Sequence, residues 1–208
     1  MFRLFSKERS SASRTAEESF WAWFADNKHR IETFLESESP DYAVYNQLTS
    51  KIKSYHPCLF PELTKNKDNK YVLVITPDGL AEGVEPTQRL AKHQPPLNNW
   101  IVKRLRQPND EITMNFNGLT YPSDDIVIVP EIDRERELVD IEVFIRNMND
   151  DVERHQHLAF LYFDHILGEF NTITKVGYIG FHHLDADQTV EDGVSLLELR
   201  KMIEKELY

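Results

Sequence analysis

The chain has 208 residues, 40% hydrophobic and 28% charged, with 35 acidic against 24 basic side chains and a formal net charge of -11 at pH 7. Such a length allows a real core, and such a charge argues against general binding of nucleic acid or anionic membrane while admitting a basic protein partner. Cys58 is the single cysteine, so no internal disulfide forms and a cytoplasmic setting is expected; no run approaches the roughly 20 apolar residues of a stable membrane insertion.

Residues 1–16 carry Arg3, Lys7, Arg9 and Arg14 among serines and lack the apolar run of a secretory signal. They read as a disordered basic lead. A single α+β domain is expected over 17–208, divided into an N-terminal helical pair at 17–56 and a sheet with helices at 57–208. From Glu17, helical spacing puts Phe20, Trp23, Phe24, Ile31, Phe34 and Leu35 on one face, opposite Glu17, Asp26, Glu32 and Glu36. Ser39-Pro40 opens a second helix, with Tyr45, Leu48 and Ile52 inward, that ends at His56-Pro57.

Two strands follow, 59–64 and 71–76, the second apolar on both faces as a central strand would be. Asp78-Gly79 makes a turn and a short helix covers 85–93. The strand 100–106 gathers Lys103, Arg104 and Arg106, which together with Arg89 and Lys92 offer an anion site or, the better reading, a solvated strand edge. Phe116-Asn117-Gly118-Leu119 is the strongest short hairpin signal. In the next pair, 126–130 and 138–146, Val139, Ile141, Val143 and Ile145 alternate onto the core side.

The segment 152–169 reads as a buried central helix with Val152, Ala159, Tyr162, Phe163 and Ile166 on one face, widened by Leu158, Phe160 and Leu167. A strand is expected over 174–181, with Lys175 at its start. An acidic loop follows, and Ser195-Leu196-Leu197-Glu198 forms a capping box for a last helix. No repeat is visible. The order points to a largely antiparallel sheet packed by helices.

The motifs Phe20 to Phe24 (F-W-x-W-F), Asp78-Gly79, Pro96-Leu97-Trp100, Leu167-Gly168-Glu169 and Thr174-Lys175-Gly177-Ile179 resemble a group of bacterial proteins with an N-terminal FWxWF helix and a C-terminal LGE…TKxGxI motif. The resemblance spans most of the chain. It implies the fold and a bacterial cytoplasmic setting, and it carries no activity.

Of eight histidines, His155 and His157 diverge on a helix while His182 and His183 point to opposite faces of a strand, so neither pair chelates from one element, and no metal is expected. Cys58 lies beside Pro57 at a strand entry, and no G-x-S-x-G or glycine-rich phosphate loop occurs, so no cofactor is expected either. The remaining polar set is Tyr162, His165, Glu169 and Lys175. A histidine oriented by a carboxylate can serve as acid and base. The bland alternative, which is favoured, is a structural ion pair of Glu169 with Lys175 beside the following strand. Two functions follow: a non-enzymatic protein-binding or regulatory module with an acidic surface, or a hydrolase or other enzyme using His165 and Glu169.

Overall fold

The computed structural model describes residues 14–110, 114–116, 119–121, 125–146, 148 and 152–208, with 114–116 and 119–121 given by backbone alone. Most of the basic lead, residues 1–13, and the hairpin-turn residues Asn117 and Gly118 lie outside the described residues.

Helix α1 (Ala16–Glu36) begins one residue earlier than its apolar stripe indicates, because Thr15 caps it: the Thr15 hydroxyl accepts from Glu18 N–H while the Glu18 carboxylate accepts from Thr15 N–H. Phe20, Trp21, Phe24 and Ile31 are its buried residues. The buried tryptophan is thus Trp21, whose indole N–H donates to Leu90 O at 2.7 Å, and Trp23 is only partly covered. The reason is that a neighbouring helix packs on that flank of α1 and widens the stripe beyond one helical face. Helix α2 (Ala43–Tyr55) buries Val44, Leu48 and Ile52.

Strands β1 (Phe60–Lys65) and β2 (Tyr71–Thr76) pair antiparallel; helix α3 (Val84–Lys92) then carries the chain to β3 (Trp100–Arg104), which pairs with β2 in parallel. All six residues of β2 are buried, as its central place demands. The short strands β4 (Met114–Phe116) and β5 (Leu119–Tyr121) form the expected hairpin, with Phe116 opposite Leu119.

The same order of elements then recurs. β6 (Ile126–Asp133) and β7 (Leu138–Arg146) pair antiparallel, the helices α4 (Val152–Ile166) and α5 (Glu169–Lys175) cross over, and β8 (Val176–Leu184) joins β7 in parallel. Helix α6 (Leu196–Glu206) closes the chain behind the expected capping box of Ser195 and Glu198. The fold is α+β with an N-terminal helix pair. Instead of one sheet, the chain builds two three-stranded sheets, each mixing an antiparallel with a parallel pairing.

Each sheet has its own core. Phe20, Trp21, Phe24, Leu48, Leu73, Leu90 and Trp100 belong to the first; Val139, Ile141, Val143, Ile145, Tyr162, Phe163, Leu199 and Ile203 to the second. The alternation on β7 is as the period-2 pattern requires. On α4, Leu158, Ala159, Tyr162, Phe163 and Ile166 are buried, whereas Val152 and Phe160 are 42% and 43% exposed. Val152 is the first residue of α4, one turn before the first buried position, His155. Among the described residues no helix is long and apolar enough to cross a membrane.

Candidate functional site: the cleft between the lobes

The single helix expected over 152–169 is broken. Gly168 takes φ 81°, a left-handed conformation open chiefly to glycine, and Pro108 packs so closely that an added Cβ would lie 2.8 Å from Pro108 Cδ. Glu169 therefore starts a new helix and turns away from His165 toward the other lobe. Its N–H donates to Arg106 O at 3.0 Å.

The Glu169 side chain is fully buried, and both of its oxygens are occupied. Oε1 accepts from the Thr76 hydroxyl at 2.6 Å and from Gly79 N–H at 3.1 Å, and Oε2 accepts from Arg106 N–H at 3.0 Å. These donors come from the carboxyl ends of β2 and β3, the parallel pair of the first lobe. Asp78 and Gly79 both have positive φ, 51° and 83°, and Leu80 N–H closes the turn onto Pro77 O at 3.2 Å, which aims the Gly79 N–H at the carboxylate.

Arg106 is the hub beside it. Nε donates to Glu62 at 2.8 Å, Nη2 to Asp78 at 2.7 Å and Nη1 to Asp164 at 3.0 Å, with Glu169 Oε1 at 3.9 Å. Burial works against this guanidinium's charge, but hydrogen bonds to Glu62 and Asp78 outweigh it and raise the pKa above the ordinary arginine value. For Asp164 burial comes first and the charge of Glu169 second; together they lift its carboxyl above the usual range against the pull of Arg106. Leu105, at φ 65°, lets its side chain enter the core while Arg106 turns to the junction.

Next to this cluster lies a cleft of about 670 Å³. Asp78, Arg106 and Asp164 form its polar end, Phe160, Leu161 and Ile173 much of its apolar wall.

The four residues singled out from the sequence are not brought together. Tyr162 is buried in the second core. His165 faces a smaller depression of about 330 Å³ that it shares with Glu62, Lys103 and Asp164, and it is not among the hydrogen-bond partners of Glu169. The expected Glu169–Lys175 pair is replaced: Lys175 Nζ lies 3.4 Å from Glu137 and 5.0 Å from the Tyr208 ring centre. Glu169 and Lys175 are the first and last of the seven residues of α5, about 9 Å apart along its axis, so the last cannot return to the first.

Arg89, Lys92 and Arg104 do line a common shallow depression with Glu85 and His93, but Arg89 is already paired with Glu17 and Glu85, and Arg106 has left for the junction. Lys103 and Arg104 are exposed on the edge strand β3. Among the histidines, His182 pairs with Glu142 and His183 with Asp185. Among the described residues no three His, Cys, Asp or Glu side chains converge as a metal site. Cys58 donates to Glu82 at 2.7 Å; that hydrogen bond first, then burial, pushes the thiol pKa up, the opposite of an activated nucleophile.

Thr76 carried no site signal in the sequence, Asp78 read as a turn residue and Arg106 as part of a basic strand edge, and Asp164 was not connected to either. The usable signal was Asp164, a carboxylate within an apolar helix that requires a cation. No family model, no curated protein and no solved structure matches this chain.

Proposed function

We propose that the chain is a non-enzymatic protein-binding or regulatory module whose acidic surface engages a basic partner. The observation that carries this reading is the state of Glu169. A general base must reach a substrate proton directly or through one water. A carboxylate that is 0% exposed, with both oxygens already accepting hydrogen bonds from Thr76, Gly79 and Arg106, presents no oxygen at the surface to a substrate. The acid–base pair of the hydrolase reading thus loses its carboxylate. The net charge of -11 favours encounter with a basic protein.

The test is a pull-down from extract of the source cells with the tagged full-length chain, at low and at high salt, read by mass spectrometry. A basic protein retained in stoichiometric amount at low salt and depleted at high salt supports the reading. Hydrolysis of a substrate panel, abolished by His165→Ala in a protein that melts like its parent, overturns it.

A further inference from the structure

We propose that the inter-lobe cleft is the docking site for a short partner segment in which one lysine or arginine is flanked by a bulky apolar side chain; this rests on the protein-binding reading above. Three observations converge on that occupant. The cleft lies outside the carboxyl ends of the parallel strands β2 and β3, where Asp78 and Gly79 follow one strand and Arg106 the other. Sheets with parallel strands present ligand crevices at that end. Its volume of about 670 Å³ admits one or two large side chains rather than a folded element.

The wall is apolar and pre-formed. Phe160 stands 43% exposed, yet its ring is held against Phe163 at 5.9 Å and Phe181 at 5.8 Å between centroids. An exposed aromatic fixed by two neighbours offers contact area without having to be ordered on binding.

The polar end selects positive charge. Four carboxylates, of Glu62, Asp78, Asp164 and Glu169, surround the one guanidinium of Arg106, so negative charge is locally in excess. An incoming anion would compete with acids already bound to Arg106. An incoming cation meets Asp78, which touches Arg106 through Oδ1 and is 59% exposed.

The experiment is fluorescence polarisation on the full-length chain with a labelled hexapeptide carrying one arginine between a phenylalanine and a leucine, and with its twin bearing citrulline for arginine. The proposal expects saturable binding of the first peptide, at least about tenfold weaker for the twin. Asp78→Asn, which tolerates the left-handed backbone at that position, weakens binding roughly fivefold. Phe160→Ala weakens it roughly tenfold. Asp78→Asn melts like the parent, its side chain being 59% exposed, while Phe160→Ala, which also loses its packing on Phe163 and Phe181, lowers the melting temperature by a few degrees and still unfolds in one cooperative transition, so binding is compared on folded protein. Equal binding of the two peptides, equal binding by the variants, or self-association of the chain that Phe160→Ala abolishes would each overturn it. A partner captured in the pull-down and held as tightly by both variants would refute the cleft while leaving the protein-binding reading intact; hydrolysis dependent on His165 would refute that reading itself.

Discussion

The Thr76 hydroxyl donates to Glu169 Oε1 at 2.6 Å across 93 residues of sequence, and both residues are fully buried. The same hydroxyl accepts from Asp78 N–H at 2.9 Å, so one oxygen holds the turn after β2 and, through its proton, the carboxylate of the other lobe. Thr76→Val keeps the shape and removes both functions. It is expected to lower stability by about 2 kcal/mol, with Thr76→Ser restoring most of it. Urea denaturation decides; a Thr76→Val midpoint equal to the parent's would show that the hydroxyl is dispensable.

Asp164 provides a pH signature. Its folded pKa is raised from the ordinary 3.8 by burial and then by Glu169, so the folded state holds this proton more tightly than the unfolded chain. The contribution to stability is complete below about pH 4 and is lost as pH rises through the raised folded value. Asp164→Asn removes that dependence. The deficit of the variant relative to the parent is therefore larger at pH 4 than at pH 7. A carbon-detected NMR titration of the Asp164 carboxyl should give a midpoint above 3.8, and one at or below it would contradict the arrangement.

In the first lobe, Trp21 and Trp23 separate cleanly. Trp21 is 2% exposed, stacks edge-on with Phe20 and Phe24, and bonds to Leu90 O. Trp21→Ala should cost about 3–5 kcal/mol. The partly exposed Trp23 should cost clearly less on the same change. Equal losses in chemical denaturation would mean that the face of α1 is wrongly placed.

Much of the fold was legible because local periodicity reported it. β7 alternates Val139, Ile141, Val143 and Ile145 inward, and Ser195 with Glu198 announces α6, as both patterns require. The split into two sheets was not legible. Each ββαβ unit reads locally like part of one larger sheet, and strand partners are a tertiary property. The site was harder. Periodicity places His165 and Glu169 on one helix, but a single left-handed glycine, Gly168, ends that helix between them. Proximity in sequence likewise suggested Lys175 for Glu169, whereas its donors come from positions 76, 79 and 106. Arg106 read as one of a basic strand edge, because nothing in its neighbours foretells a leucine at positive φ just before it.

Glu169 is the buried carboxylate that ties the second lobe to the first. The direct measurement is the unfolding free energy of Glu169→Gln beside Lys175→Met. A glutamine brings an amide donor among Thr76, Gly79 and Arg106, which all donate, and leaves the Arg106 charge less compensated. The expected loss is about 3 kcal/mol. Lys175 meets the exposed Glu137 and the ring of the exposed Tyr208, so Lys175→Met should cost under about 1 kcal/mol. Full stability of Glu169→Gln, together with loss of a measurable turnover, would contradict the account and return His165 and Glu169 to the centre of a catalytic site.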